Sequence, residues 1–319
     1  MKYFRITIAL AAVIAALAFP DQAKPGTRKI VTLSSPAQFE PRASARTDGR
    51  RPADGMFDAN GVNLHYIVQG EGESVVLIHG LRSSARMNWQ MPGIVGLLSK
   101  KYKVIAVDMP GHGESDKPAN EDAYGLELVE DVVRLLDHLK IRKAHIVGYS
   151  MGGMIAIKFM ATHQERTLSG VVGGMGWLRE GSPLQMIWER LPDRGGITPP
   201  ACARSLGKLA VTEAELKSIR VPVVVIVGDR DPVRRLYVAP LQPVRKDWKV
   251  IEIEDAGHLN CVVKAQFKEA IAEWLDSQER GQTGLRRRIS TASGADQFSP
   301  LMYRQGMRQG LFFSQMEAW

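Results

Sequence analysis

The chain has 319 residues, 45% of them hydrophobic and 24% charged, and a formal net charge of +8. This is an ordinary globular composition, long enough for one large α/β domain with tails. The charge sits at the ends: residues 1–55 carry nine Lys/Arg against four Asp/Glu, residues 280–319 carry six Arg against two acids, and the body 56–279 is left at −1. The basic balance therefore belongs to the tails and is poor evidence for a nucleic-acid-binding domain.

Met1 to Phe19 places Lys2 and Arg5 ahead of an apolar run from Ile6, with the small-x-small step Ala16-Leu17-Ala18 near its end. This is the layout of a secretory signal peptide, or of an uncleaved N-terminal anchor, and it predicts an exported protein. Residues 20–55, rich in Pro, Ser, Ala, Arg and Lys, read as a disordered linker. The folded body is expected from Met56, where Asn60-Gly61 signals a hairpin between Met56–Ala59 and Val62–Val68. Ser74 to Ile78 is an apolar strand ending at His79-Gly80, and Trp89 to Leu98 is weakly helical. Lys103 to Val107 is the next strand, ending at Asp108-Met109-Pro110-Gly111-His112-Gly113-Glu114-Ser115. Leu126 to Leu139 is amphipathic, with apolar residues at 128, 129, 132, 133, 135, 136 and 139.

The strand from Ala144 to Val147 runs into Gly148-Tyr149-Ser150-Met151-Gly152-Gly153, and an apolar helix follows from Met154. Gly-x-Ser-x-Gly between a strand and a helix is the nucleophile elbow, in which glycines let the two elements approach while the serine projects from a strained turn. Val171 and Val172 close a short strand. Residues 174–220 break the alternation and read as a short helical cap, with a helix over Pro183–Leu191, a Gly/Pro-rich piece to Pro200, and a short helix from Thr212 whose Glu215 stands at capping-box spacing. Val223 to Val227 is a strand ending at Gly228-Asp229-Arg230-Asp231. Lys249 to Ile253 is the last strand, ending at Asp255-Ala256-Gly257-His258, and Phe267 to Leu275 is a closing helix. Residues 280–319 read as a basic, poorly ordered tail. Short apolar strands alternating with helices predict an α/β fold, a mostly parallel central sheet with helices on both faces. Cys202 and Cys261 have no metal-ligand spacing and read as buried thiols, with a disulfide as the alternative in an exported protein.

A serine hydroxyl needs a base to become a nucleophile. His258, in the loop past the last strand, can swing over the elbow. His65, His138, His145 and His163 sit in strand or helix positions and read as structural or surface residues, and His79 and His112 lie in other strand-end loops that can approach the site but lack the closing segment that follows His258. Asp231 is placed to orient the imidazole, with Asp229 as its rival, the latter better suited to shaping the turn. The two oxyanion donors are expected from the backbone N–H groups of Met151, at the helix start, and Leu81, after His79-Gly80.

With these pieces in order the chain resembles the α/β-hydrolase superfamily, in its compact Ser-nucleophile branch of esterases, enol-lactonases and cofactor-free haloperoxidase-like enzymes. The likeness covers roughly Phe57 to Leu275 and rests on His79-Gly80, the Asp108–Ser115 loop, Gly148–Gly153, Gly228–Asp231 and Gly257-His258. It implies the α/β-hydrolase fold, Ser150 as nucleophile, His258 as base, Asp231 as orienting acid, Leu81 and Met151 as oxyanion donors, and His112 as a loop-fixing residue. Some relatives take the acid from the strand after the elbow helix, but Val171 to Gly176 holds no carboxylate. The cap looks shorter than is common in this branch, which implies a more open pocket.

The function expected is a serine hydrolase of a small carboxylic ester or lactone, with no metal, no organic cofactor and no nucleic-acid partner, and contact with a membrane only through an uncleaved N-terminal segment. A perhydrolase or carbon–carbon bond hydrolase with the same triad is the alternative, and a non-catalytic small-molecule-binding protein on the same fold is the alternative from a different class. A serine at the elbow argues against dehalogenase and epoxide-hydrolase chemistry, which needs a carboxylate there.

Overall fold

The computed structural model describes residues 52–190 and 198–293, with side chains as far as Arg280. The N-terminal apolar segment, nearly all of the linker, residues 191–197 of the cap and most of the basic tail, 294–319, lie outside the described residues. The chain divides into two compact units between Asp276 and Ser277.

Eight strands form one sheet: β1 (Ala53–Asp58), β2 (Asn63–Gln69), β3 (Ser74–Ile78), β4 (Lys103–Val107), β5 (Ala144–Tyr149), β6 (Thr167–Gly173), β7 (Val223–Gly228) and β8 (Lys249–Ile253). Their spatial order is β1-β2-β4-β3-β5-β6-β7-β8. β1 pairs antiparallel with β2, and β2 with β4, while every other pairing is parallel. The hairpin turns where the sequence signals it: Ala59 N–H donates to Val62 C=O at 2.8 Å, with φ of 60° at Asn60 and 87° at Gly61. Positive φ at both central residues matches the twist of the flanking strands, and Asn-Gly tolerates it. The strand itself begins at Ala53, three residues before the expected edge of the body.

β3, β5 and β7 are buried along their whole length. The runs of Val, Ile and Leu in β3 and β7 follow from helices covering both faces. One apolar layer packs α2 (Glu127–His138) and α3 (Met151–Thr162) on the sheet. The other packs α1 (Ile94–Leu98) and the start of the closing helix, with Trp89 and Phe267 fully buried. α3 is apolar all round because it lies between the sheet and the cap, whose helices are α4 (Pro183–Glu189), α5 (Pro200–Ser205) and α6 (Glu213–Ser218). The cap is tied down by Lys158 of α3, whose Nζ meets Glu215 at 2.6 Å, and the Thr212/Glu215 capping box is formed.

Three segments differ from expectation. The weak helix over Trp89–Leu98 is two pieces, a π-helical turn at Arg86–Gln90 and α1, because Pro92 lacks an N–H and Gly93 adopts φ 79°. α5 begins directly at the end of the Gly/Pro-rich piece, where Pro200 at its first position suits a helix start. The closing helix α7 spans Ala265–Ser293, so the first part of the segment expected to be poorly ordered is helical in backbone.

β3 sits between β4 and β5. The chain leaves β3 to one side to build β4 and returns on the other side to build β5, so the loops after β3 and β5 part in opposite directions. A crevice opens at the strand C-terminal ends at such a switch point. The register places Ile78 opposite Gly148, which brings His79-Gly80 and Tyr149-Ser150 side by side.

Candidate active site

Ser150 stands in that crevice at φ 54°, ψ −112°, a left-handed conformation that a residue with a Cβ rarely adopts. The turn that forces it is crowded. A Cβ on Gly148 would lie 1.9 Å from Gly152 O, and one on Gly152 would lie 2.0 Å from Ile78 O, so both elbow glycines are required by contact with backbone. Ser150 N–H donates to Gly173 C=O of β6 at 2.8 Å, which holds the strained residue to the sheet.

The loop after β8 carries His258 back across two strands to Ser150. His258 Nε2 is 2.9 Å from Ser150 Oγ, and His258 Nδ1 is 2.8 Å from Asp231 Oδ2. Ser150, His258 and Asp231 are all buried. The carboxylate can only accept, so it fixes the proton on Nδ1 and leaves the Nε2 lone pair facing the hydroxyl. The other carboxylate oxygen, Asp231 Oδ1, accepts Val233 N–H at 2.9 Å, so both oxygens are committed. Asp229 lies outside this line. Its Oδ1 accepts Ala256 N–H at 3.0 Å, and that bond, with others from the Asp255 and Arg230 backbone, holds its carboxyl below the usual range. Asp229 thus closes the β7 turn against the His258 loop, and Asp231 reaches the imidazole.

Gly80 packs against the serine: a Cβ there would lie 3.3 Å from Ser150 Cβ. The peptides on both sides of Gly80 are pinned. Gly80 N–H donates to Asn88 Oδ1 at 2.8 Å, and His79 Nδ1–H donates to Gly80 C=O at 2.8 Å. His79 Nε2 accepts Met109 N–H at 3.0 Å, and burial lowers the His79 pKa, so the ring is neutral with its proton on Nδ1. Because a peptide is planar and trans, anchoring Gly80 C=O on one side directs Leu81 N–H to the other. Met151 begins α3, whose first internal bonds are donated by Gly153 and Met154 to Ser150 C=O, at 2.8 and 3.1 Å. Among the described residues no acceptor takes the N–H of Leu81 or of Met151.

The Asp108–Ser115 loop braces the crevice. Burial would raise the Asp108 pKa, but N–H groups of Glu114 and Ala85, with His79 and His65 nearby, hold it below the usual range. Its Oδ2 is 2.9 Å from His65 Nδ1. His112 donates from Nδ1 to Pro110 C=O at 3.0 Å, and burial pushes its pKa down to about 3, so it stands neutral within the loop. Its ring packs 4.9 Å from that of His79. His145 bonds Ser169 at 2.8 Å inside the sheet and His163 bonds Glu130 at 3.1 Å, both away from Ser150. Cys202 and Cys261 are buried free thiols. Among the described residues no group of His, Cys, Asp and Glu is arranged to hold a metal ion.

The structure thus brings Ser150, His258 and Asp231 into one hydrogen-bonded line, with Leu81 and Met151 beside the first. Reasoning from sequence did not find Asn88, His79 as a brace, or Tyr149, whose hydroxyl donates to His258 C=O. Each holds a backbone group, and nothing in a motif marks that.

A family model described as alpha/beta hydrolase fold matches residues 73–211. The (E)-2-((N-methylformamido)methylene)succinate hydrolase of Acinetobacter baylyi is 26% identical over 260 residues, covering 69% of this chain and 96% of that protein. The 2-hydroxy-6-oxo-6-phenylhexa-2,4-dienoate hydrolase of Comamonas testosteroni is 36% identical over 117 residues, but the match spans only 36% of this chain and 41% of that one. Among solved structures, the enol-lactonase of Burkholderia xenovorans aligns over 70% of this chain and all of its own, with 25% identity and a TM-score of 0.59.

Proposed function

We propose that this chain, a hydrolase belonging to the α/β-hydrolase superfamily, cleaves a small carboxylic ester or lactone through an acyl-enzyme intermediate. The observation that carries the reading is the unbroken line from Ser150 Oγ through His258 to Asp231. In this mechanism Oγ attacks the substrate carbonyl carbon as its proton passes to His258 Nε2. The Asp231 carboxylate, 2.8 Å from Nδ1, stabilises the imidazolium that forms. The carbonyl oxygen becomes an oxyanion and accepts the N–H groups of Leu81 and Met151, the second at a helix N-terminus. Nε2 then returns its proton to the leaving alcohol oxygen as the carbon–oxygen bond breaks. Water, deprotonated by the same nitrogen, attacks the acyl-enzyme and releases the acid. Each backbone donor is expected to contribute on the order of 10²–10³ in rate.

The enol-lactonase likeness supports an ester-type bond. A second reading, hydrolysis of a carbon–carbon bond with the same three residues, is favoured by the likeness to the Comamonas testosteroni enzyme. Export is part of the proposal and rests on the Lys2/Arg5-led apolar run to Phe19; a mature N-terminus still at Met1 in the native host would remove the cleavage step.

The deciding experiment is turnover of p-nitrophenyl esters of graded acyl length, with a lactone and a vinylogous diketone alongside, by wild type and by Ser150→Ala. Ester or lactone turnover that vanishes in Ser150→Ala, at an unchanged melting temperature, supports the proposal. Wild-type-like ester hydrolysis by that variant refutes it, and turnover of the diketone alone favours the second reading.

A further inference from the structure

Resting on the reading of Ser150 and His258 as nucleophile and base, we infer that Tyr149 is a positioning residue that sets the His258 imidazole against Ser150 through a hydrogen bond to the His258 backbone.

β8 lies three places from β5 in the sheet. At the usual spacing of neighbouring strands this is about 14 Å, which the loop after β8 must cross to place His258 on the elbow. The loop's own bonds tie it to its near side. Ala256 N–H goes to Asp229, Arg230 N–H goes to Ala256 C=O, Gly257 N–H goes to Asn260 Oδ1, and Cys261 N–H goes to Gly257 C=O. None of these reaches the serine. The contact from the elbow to the loop backbone is the Tyr149 hydroxyl, which donates to His258 C=O at 2.5 Å.

The phenol is held as a strut. Its ring crosses the end of β6, where a Cβ on Gly173 would lie 3.0 Å from Tyr149 Cδ2 and one on Gly174, at φ 54°, would lie 2.7 Å from Cζ. Phe267 meets it edge to face, with centroids 5.5 Å apart and planes at 88°. The Tyr149 ring also lies 5.7 Å from that of His258. With 4% of its surface exposed, the side chain has no room to swing. Burial, then the nearby Cys261 and Asp231, raise its pKa well above the ordinary tyrosine value, so the hydroxyl stays a donor. Tyr149 is the residue bonded to Ser150, so the strut moves with the nucleophile. The base is therefore referenced to the serine on two sides: at its tip by the Nε2–Oγ bond, and at its backbone by the phenol.

Tyr149→Phe removes one oxygen and keeps the ring between Gly173, Gly174 and Phe267. The experiment compares it with wild type in three readouts: the final stoichiometry of labelling by a fluorophosphonate, the second-order rate constant of that labelling, and kcat and KM for p-nitrophenyl butyrate. The stoichiometry counts folded sites, so the rate constant reports on each site apart from any loss of folded protein. Full stoichiometry with at least a fivefold fall in both the labelling rate constant and kcat, and KM within twofold, is the result expected. A smaller fall in either, a loss confined to stoichiometry, or a change confined to KM overturns the inference. A wild type that neither labels nor turns over esters would instead overturn the serine-hydrolase reading itself.

Discussion

Exchanging Asp231 for asparagine tests the charge and tautomer logic of the site, and the neighbouring loop decides which way the new amide must face. Asp231 Oδ1 accepts Val233 N–H at 2.9 Å, in a buried position. An asparagine side chain in this place that keeps the bond must put its carbonyl oxygen there and turn its NH₂ towards His258 Nδ1. That nitrogen must then present a lone pair, which moves the ring proton to Nε2, facing Ser150 Oγ at 2.9 Å. An N–H in that place cannot take the hydroxyl proton. The alternative rotamer keeps the His258 tautomer but sets NH₂ against Val233 N–H, leaving a buried donor unpaired at about 1–3 kcal/mol. The wrong tautomer is therefore the populated one, and kcat for ester hydrolysis is expected to fall about 10⁴-fold, the size known for this exchange in a serine protease triad. Asp229→Asn is the control: the amide carbonyl oxygen can still accept Ala256 N–H, now at 3.0 Å from the carboxylate, so activity should stay within about threefold. Steady-state kinetics on a p-nitrophenyl ester measure both. An Asp231→Asn enzyme within tenfold of wild type, or an Asp229→Asn enzyme as damaged as Asp231→Asn, would refute the assignment of roles.

Two further outcomes follow from strain and burial. Ser150 is held at φ 54°, a cost of about 1–3 kcal/mol for a residue with a Cβ; glycine relieves it but costs about 0.4–1 kcal/mol in unfolded-chain entropy, so Ser150→Gly should unfold at higher denaturant than Ser150→Ala, and a Ser150→Gly less stable than Ser150→Ala by that entropy would show that the turn stores no strain. Burial pushes the Asp131 carboxyl up to about 7 from 3.8, against the pull of Arg134 and with the help of Glu127 and Glu130. A raised folded-state pKa means that the native protein binds the extra proton between those two values, so stability falls as pH rises through that window. At about 1.4 kcal/mol per unit, wild type should lose about 2–3 kcal/mol relative to Asp131→Asn between pH 5 and pH 8. Urea unfolding at the two pH values measures this, and a constant difference between the two proteins would remove the claim.

The fold was legible where one physical signal acted alone. β3, β4 and β8 lie at the expected residues; for β3 and β4 a short apolar run bounded by turn residues in a parallel sheet has few other readings. The α2 helix ended within a residue of its apolar period at each end. Signals that competed were misread. Trp89 to Leu98 has the apolar content of one helix, but Pro92 and Gly93 cut it, and Asn88 and Trp89 are buried on a separate π-helical turn. The closing helix has an apolar period only to Leu275, whereas its backbone continues to Ser293; the sequence marks where a helix is buried better than where it ends.

The site divides along a similar line. Ser150, His258 and Asp231 could be brought together from sequence because few side chains suit the roles proposed for them, and each follows a strand that periodicity locates. His79, Asn88 and Tyr149 could not, because what they supply is a hydrogen bond to a main-chain group. A carbonyl or N–H in the right place accepts or donates to many side chains, so no residue type at that spacing stands out. Their partners are set by tertiary placement: Gly80 beside Ser150 through the β3–β5 register, and His258 C=O over the elbow through a loop that crosses two strands. The consequence is an asymmetry between the two halves of the site. The Leu81 N–H is aimed by bonds made within fewer than ten residues of its own loop, from Asn88 and His79, with Met109 as their outside support. The His258 backbone is held from 109 residues away, by Tyr149. Damage to a local brace should therefore stay local, whereas damage to β6 or to the start of the closing helix, on which the Tyr149 ring rests, should reach His258 without touching Ser150, Asp231 or His258 itself.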